Sequence, residues 1–440
     1  MTDVTDRPVA EEGRLDGLPY PDSKVERRKL SKERYTSKEI HELEKQKLWP
    51  ATWLSTCREE NIPNPGDYFE YVIIDQSILL VRQQDGGIKA FFNTCSHRGM
   101  PLVCGAGNKK DFRCPFHAWK YGLDGSVLNI PSPDEFAHDD YSLPEVRVDT
   151  WGGYIFVNMD GKAPPLLEYL APTLAVLDNA KMEEMVFSTV NRIIMPCNWK
   201  LALEAFMEAY HNPSTHPQLC SSIDDVHTTS EVVGIHSRSI VPQFATSPRL
   251  GAAGEDLVFE SMMTDLIDLG LAPDRNAEGT GSPEELPEGM TAAEFFIGMQ
   301  RELAAAQGVS LNHLSDQELR EYRLWLLFPN LVLQVNGPIV LGWRAYPNGD
   351  DPDSCILEEL ITRSVAPGSD VETAPWVHYD SWHDYDCPAL LSQDFRNLER
   401  MQVGMKQRGY RGVVLANQQE LRITHMAKVI DDYLARPTAP

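Results

Sequence analysis

Residues 95–122 read "CSHRGMPLVCGAGNKKDFRCPFHAWKYG" and place three cysteines and two histidines in one short stretch. Four of them form two matched loops: Cys95-x-His97 and, after sixteen residues, Cys114-x-x-His117. Reduced core thiols with incidental imidazoles explain two such loops poorly. A Cys2His2 zinc knuckle is the stronger competitor, but zinc spacings usually pair like with like, Cys with Cys and His with His. Each loop here mixes one thiol with one imidazole. That arrangement suits a [2Fe–2S] centre in which one iron takes both thiolates and the other both imidazoles. Cys104 has no partner in the second loop and reads as a buried free thiol. The "CGAGNKK" it opens lacks the full spacing and following helix of a phosphate loop, and reads as a Gly-rich turn.

The surroundings are β-rich. Residues 68–93, "YFEYVIIDQSILLVRQQDGGIKAFFN", predict three strands with Asp85-Gly86 as a hairpin turn, and "WGGYIFVNM" (151–159) predicts another. Before them, "TSKEIHELEKQKLW" (36–49) predicts a helix with Thr36 or Ser37 as N-cap, preceded by a polar arm. Beyond residue 161 come predicted helices at 166–180 and 198–211, then antiparallel strands "LVLQV", "IVLGWRAYP" and "SCILEELITRS", with "PNGDDPD" as a loop between the last two. A long helix from Pro388 to Arg408 and a helical tail follow. Residues 250–320 alternate helical pieces with Gly/Pro/Glu-rich connectors and read as a cover over a pocket or as a surface insertion. The expected division is 1–45, an arm and helix packing on the last domain; 46–160, the all-β domain; and 161–440, a larger domain of helices and strands.

A second constellation lies in "NWKLALEAFMEAYHNPSTHP" (198–217). Glu204, Glu208 and His211 fall at i, i+4 and i+7, one face of the predicted helix. The rest of that helix is apolar, including Phe206 and Met207, which neighbour this face and are candidates to line a pocket. Burying two carboxylates and an imidazole costs several kcal/mol unless they are paired or bind metal. His216 follows Asn212-Pro213, read as a helix break. Two imidazoles with a carboxylate suit a mononuclear Fe(II), whose three protein ligands leave positions for O2 and substrate. The zinc-protease pattern HExxH is absent. The candidate third ligands are Asp384, Asp386 and Asp394. The first two precede Pro388 in an expected loop. Asp394 lies on the helical stripe Asp394, Leu398, Met401, Met405, predicted to face the core, and is the choice.

"CSHRG…CPFHAWKYGLDG", with "IPNPGDYFEY" and "GGIKAFFN" ahead of it, resembles the cluster signature of Rieske non-haem iron aromatic-ring-hydroxylating oxygenases, large (alpha, terminal oxygenase) subunit. Residues 204–216 resemble that family's acid-x3-acid-x2-His-x4-His pattern, and Asp394 with Gln402 and Gly404 its "D…Q.G" helix. The resemblance therefore covers most of the chain. It implies an α+β fold: an N-terminal all-β Rieske [2Fe–2S] domain and an α+β catalytic domain with an antiparallel sheet covered by helices, helix-grip-like. It implies that Cys95, His97, Cys114 and His117 bind the cluster and that His211, His216 and Asp394 bind the mononuclear Fe(II). Glu208, Asp in many members, would bridge to a Rieske histidine of the neighbouring subunit, and Glu204 would support the iron's ligands. It further implies a homotrimer (α3) or α3β3 assembly. A ferredoxin and/or flavin reductase would supply NAD(P)H-derived electrons. O2 would be used to mono- or dioxygenate a small organic substrate, by family default an apolar aromatic or polycyclic one. The rival reading is a Rieske-type electron carrier or a zinc-stabilised binding protein; the long chain after the β-module argues against a carrier.

The 440 residues carry a formal charge of −25, with a pI near 4.8, which disfavours nucleic acid and anionic membranes as partners. Against that background Arg98, Lys109, Lys110, Arg113 and Lys120 outnumber Asp111 between His97 and Lys120. They are either a docking patch for an acidic electron donor or ordinary solvated charges. The acidic N-terminus has no apolar signal region, and eight scattered cysteines suit a reducing, cytoplasmic setting. Leu324–Trp343 is apolar, but Pro329, Asn330 and Asn336-Gly337-Pro338 make it two buried strands and a turn rather than a membrane span.

Overall fold

The computed structural model describes residues 29–137, 139–251, 254–268, 285–369 and 372–437. It opens with β1 (Lys29–Leu30), α1 (Glu33–Thr36) and α2 (Lys38–Lys47). Ser37 is the cap of α2: its hydroxyl accepts the amides of Glu39 and Ile40 at 3.2 and 3.3 Å. From the buried face of α2, Glu44 takes Lys200 Nζ at 2.6 Å and Trp199 Nε1 at 2.9 Å, which anchors the segment to the later part of the chain. The expected arm, up to residue 28, lies outside the described residues.

Ten strands follow: β2 (Leu54–Arg58), β3 (Asp67–Ile73), β4 (Gln76–Arg82), β5 (Ile88–Phe92), β6 (Ala106–Asn108), β7 (Phe112–Arg113), β8 (Lys120–Tyr121), β9 (Val127–Asn129), β10 (Glu145–Trp151) and β11 (Tyr154–Asn158). Seven make one sheet in the order β2-β11-β10-β5-β4-β3-β6, and β7-β8-β9 make a small second one. The hairpin between β4 and β5 turns where Asp85-Gly86 predicts: Gly86 has φ +87° and Asp85 Oδ1 accepts the Gly87 amide at 2.9 Å. "CGAGNKK" is not a simple turn, because its Ala106–Asn108 pairs with β3 as an edge strand. Cys104 is exposed rather than buried, since it enters that edge from the loop.

The remainder contains α3 (Leu166–Leu177), β12 (Met185–Met195), α4 (Trp199–Glu204), α5 (Asn212–Thr215), β13 (Thr229–Val233), β14 (His236–Pro242), α6 (Glu255–Asp268), α7 (Ala292–Ala306) and α8 (Asp316–Leu319). Then come β15 (Glu321–Leu327), β16 (Leu331–Asn336), β17 (Ile339–Asn348), β18 (Asp351–Ser364), β19 (Trp376–Tyr379), α9 (Ala389–Met405), β20 (Val413–Val414) and α10 (Leu421–Leu434). Eight strands form a sheet ordered β13-β14-β15-β16-β17-β18-β12-β19, antiparallel except for the β12–β19 pair. The α+β class is as the sequence implies. Leu324–Trp343 does not form two strands: it runs from β15 through β16 into β17, interrupted at Phe328-Pro329 and at the Asn336 turn. No helix among the described residues is long and apolar enough to cross a membrane. "PNGDDPD" is not a loop either. β17 reaches Asn348 and β18 begins at Asp351, so only Gly349-Asp350, with Gly349 at φ +64°, turns the chain. In the 250–320 stretch, α6 and α7 pack Phe259 and Phe296 into a core of their own, and residues 269–284 lie outside the described ones.

Strand alternation sorts this sheet into two faces. One row holds Arg192, Glu358 and Arg344; the next holds Asn191, Glu359 and Trp343. The first row meets the N-terminal sheet, where Arg344 Nη1 donates to Ser55 O at 2.6 Å and to Ser55 Oγ at 2.9 Å. Glu358 lies under that guanidinium, with Arg344 Nε at 2.6 Å. The second row is covered by the turn after α4, where Phe206 stacks on Trp343 with centroids 4.4 Å apart. One face of the sheet thus carries the cluster-bearing domain, and the other builds the second site.

Candidate functional site

The two Cys/His loops follow one backbone pattern. The Cys95 amide donates to Met100 O at 2.9 Å and Gly99 N donates to Cys95 O at 2.9 Å. The Cys114 amide donates to Trp119 O at 2.8 Å and Ala118 N donates to Cys114 O at 3.0 Å. The closing residues, Gly99 (φ +74°) and Ala118 (φ +62°), share the left-handed region. Ala118 holds it against a cost of roughly 1–2 kcal/mol, which only an over-determined loop sustains.

This pairing sorts the donors. The thiols of Cys95 and Cys114 are buried in one core cluster, and the His97 and His117 rings lie 4.7 Å apart with His117 exposed. A single zinc needs all four donors within one tetrahedron. Among the described residues, the one set of three or more such side chains whose ligand atoms all lie within 4.8 Å is elsewhere, at His211, His216 and Asp394. A thiol pair beside an imidazole pair fits a Rieske cluster. Tyr121 Oη stands 3.2 Å from Cys95 Sγ and accepts the Ser96 amide at 3.1 Å, an aromatic support that ligand spacing alone does not reveal. His97 also stacks on Trp119 at 5.0 Å. Of the surrounding basic residues, Arg98, Lys109, Lys110 and Arg113 are exposed, while Lys120 pairs with Asp111 at 2.8 Å.

The second site is not on the continuous helix that the i, i+4, i+7 spacing predicts. α4 stops at Glu204 and the chain turns. The bonds tighten to Phe206 N–Leu203 O and Met207 N–Glu204 O, and beyond them Glu208 keeps the helix from resuming: its carboxylate accepts the backbone amides of Tyr210 and His211 in place of the carbonyls a helix would offer them. Pro213 does not break a helix but sits in the first turn of α5, where its missing N–H costs nothing. These turns bring the ligands together. His216 Nε2 lies 3.0 Å and His211 Nε2 3.6 Å from Asp394 Oδ1. Each ring is held at its other nitrogen: Glu208 Oε1 is 2.6 Å from His211 Nδ1, and Gln393 Oε1 is 2.7 Å from His216 Nδ1. Glu208 pulls His211 upward in pKa, against the downward effect of burial. Gln218 Nε2 donates to Gln393 Oε1 at 3.0 Å and fixes its orientation. The Gln393 contact is missed by sequence reading. The available signal was its place beside Asp394, since a metal-binding imidazole needs a partner for its second nitrogen.

Asp384 and Asp386 are exposed, away from this set. The α9 stripe holds for Asp394, Leu398 and Met405, but Met401 is 47% exposed, at the margin of a buried arc that Phe395 and Gln402 extend on the other side. Gln402 ties α9 to the start of α4, accepting the Asn198 amide at 3.0 Å and donating to Tyr35 O at 3.1 Å. Glu204 does not join the three ligands. It accepts the Tyr35 hydroxyl at 2.9 Å, and burial pushes its carboxyl up to about 8. The donor set of two imidazoles and one carboxylate, with both second nitrogens engaged, fits a mononuclear iron with open positions.

Residues 52–149 match the Rieske [2Fe-2S] domain, and residues 182–436 match the ring hydroxylating alpha subunit (catalytic domain). The chain is 36% identical over 191 residues to the chlorobenzene dioxygenase subunit alpha of Cupriavidus sp. (strain PS12), a match covering 41% of this chain and 42% of that protein. It is 30% identical over 200 residues to the carnitine monooxygenase oxygenase subunit of Acinetobacter baumannii, covering 43% of this chain and 53% of that one. The chain thus spans about half the length of the curated relatives it matches. In fold it is similar to a quaternary ammonium Rieske monooxygenase solved with L-carnitine, with a TM-score of 0.64 at 19% identity over 92% of this chain and 95% of that one. With the catalytic-domain match alone taking in more than half of its residues, the chain belongs to the ring-hydroxylating alpha-subunit family, with a Rieske [2Fe–2S] domain ahead of the catalytic domain.

Proposed function

We propose that the chain is the terminal oxygenase of a multicomponent Rieske system, using O2 and NAD(P)H-derived electrons to mono- or dioxygenate a small organic substrate with an apolar body. The observation that carries this reading is the convergence of His211 Nε2, His216 Nε2 and Asp394 Oδ1, with Glu208 and Gln393 occupying the two remaining imidazole nitrogens. When bound, the cluster supplies single electrons and the mononuclear iron supplies O2 activation.

The chain's own residues do the positioning. Glu208 and Gln393 take the Nδ1 protons, so each ring presents a bare Nε2 to the metal. Phe206 and Trp343 close the sheet side of the site with stacked rings and exclude water there. Glu208 is the link to a neighbouring subunit: in a trimer, His117 or His97 of one chain would reach Glu208 of the next. His117 suits that role because it is exposed at the loop tip. Arg98, Lys109, Lys110 and Arg113 surround that tip and suit docking of an acidic ferredoxin or a flavin reductase.

The test is metal and product analysis on the purified chain. The expected result is about three irons and two sulfides per chain. Products formed under 18O2 from a panel of aromatic, alicyclic and ammonium compounds should carry label. Zinc without sulfide would overturn the reading.

A further inference from the structure

Among the described residues, most buried carboxylates have cations. Glu44 has Lys200, Asp225 has Arg249, Glu231 has Arg238, Glu321 has Arg323, and Glu358 has Arg344 and Arg192. Asp394 faces two imidazoles, and Glu204 is relieved by its raised pKa. Glu359 is the exception. It is 7% exposed and has no cation within ion-pair distance among the described residues.

Its hydrogen bonds are one-sided. Oε2 accepts Asn191 Nδ2 at 2.7 Å and the Tyr385 hydroxyl at 2.7 Å, while Oε1 has no hydrogen-bond partner among the described residues. Two neutral donors therefore orient the carboxylate without neutralising it. Rings surround it. Trp343 is its direct cross-strand neighbour, and Tyr385 itself packs on Tyr379 with centroids 4.8 Å apart.

Two routes join this cluster to the iron ligands. Trp343 stacks on Phe206, two residues before Glu208. On the other side, Tyr385 and Cys387 lead into α9, which carries Asp394. The Cys387 thiol is pushed up to about 12 by burial and then by the charges of Glu359 and Asp394, so one side chain senses both carboxylates. Further along the same sheet face, Leu341 and Ile361 are only partly buried, which continues the face as an apolar surface.

A mostly buried carboxylate with one oxygen left open and no cation beside it favours a ligand that supplies positive charge. A weakly hydrated organic cation is the ligand that both the carboxylate and the ring faces favour. A neutral hydrocarbon would leave the charge uncompensated. We propose that Glu359, with Trp343 and Tyr385, is a subsite for a cationic head group of the substrate, a quaternary or protonated tertiary ammonium. The proposal rests on the oxygenase reading and names the substrate class that reading leaves open.

The test titrates the purified full-length protein, its iron and sulfide measured in the same sample, with benzyltrimethylammonium and its neutral isostere neopentylbenzene. Native protein is expected to bind the cation at least about tenfold tighter, the ratio that roughly 1.4 kcal/mol supplies. Glu359→Gln is expected to bring the ratio to about one, and Glu359→Asp to retain most of the preference. Equal or tighter binding of neopentylbenzene by native protein overturns the subsite however the variants fold. An unchanged ratio in Glu359→Gln also overturns it. Zinc without sulfide in the native sample would overturn the oxygenase reading, and the binding ratio reports on the subsite separately.

Discussion

From Cys95 to Met100 and from Cys114 to Trp119 the chain makes the same turn twice, closed by the same two backbone hydrogen bonds and the same left-handed residue. Nothing comparable holds the iron ligands. His211 is oriented by Glu208 three residues away, and His216 by Gln393, which lies 177 residues on in a different helix. The cluster ligands are thus positioned by main chain, and the iron ligands by side chains. The first kind of site should keep its ligand geometry when a neighbouring side chain is changed, whereas the second depends on such side chains for it.

The sharpest way to break that comparison is to remove one ligand from each region. Asp394→Ala should abolish product formation, cutting it more than about a thousandfold. Iron should fall from about three to about two per chain with both sulfides kept. Cys114→Ser should do the reverse, losing sulfide while mononuclear iron remains. If Asp394→Ala keeps its third iron and Asp386→Ala loses it, the wrong acid has been assigned. Loss of sulfide from Asp394→Ala would show that the two regions are not independent.

The same contrast explains what was legible in the sequence. Cys95, His97, Cys114 and His117 are all within reach of a spacing argument because short turns fix their distances. For the second site, residue type was informative and geometry was not. Apolar periodicity predicts one helix from Asn198 to His211, but periodicity has no term for a Glu208 carboxylate that captures the amides of its own next turn. Asp394 was reachable because α9 is long and periodic, while Met401 was misplaced because the buried arc centres between Asp394 and Phe395 and leaves Met401 at its edge. Gln393 and Tyr121 were out of reach for a different reason. Each acts on a ligand through a single hydrogen bond, and such partners leave no pattern along the chain.

Those two residues give the next test, with smaller effects. Gln393→Leu removes the acceptor on His216 Nδ1 and should weaken iron retention and activity by roughly 10–100-fold. Dialysis against a chelator measures it, and Gln393→Glu should restore retention. Tyr121→Phe removes only the hydroxyl beside Cys95 Sγ. That hydrogen bond strengthens as the cluster gains negative charge, so its loss should lower the reduction potential. A difference of about 1 kcal/mol corresponds to about 40 mV for one electron. Sulfide content should be unchanged. A Tyr121→Phe protein that loses its cluster would mean that the first region also relies on side chains.

The smallest expected effect is a pH dependence confined to the second region. Glu204 closes α4 with its carboxyl pushed up to about 8 by burial, so the folded chain holds a proton there that the unfolded chain releases near pH 4.5. The sign follows from that difference. Between those two values the folded state binds more protons, so stability falls as pH rises toward 8. Glu204→Gln keeps an acceptor for the Tyr35 hydroxyl but cannot titrate. One pKa unit is worth 1.36 kcal/mol, so even half of the shift would contribute about 2 kcal/mol. Thermal melts between pH 6 and pH 9 should therefore slope downward in the native protein, and less steeply in Glu204→Gln by on the order of 2–4 °C. Parallel slopes would mean that Glu204 is already ionised in the folded chain, with Lys200 and Arg34 outweighing its burial.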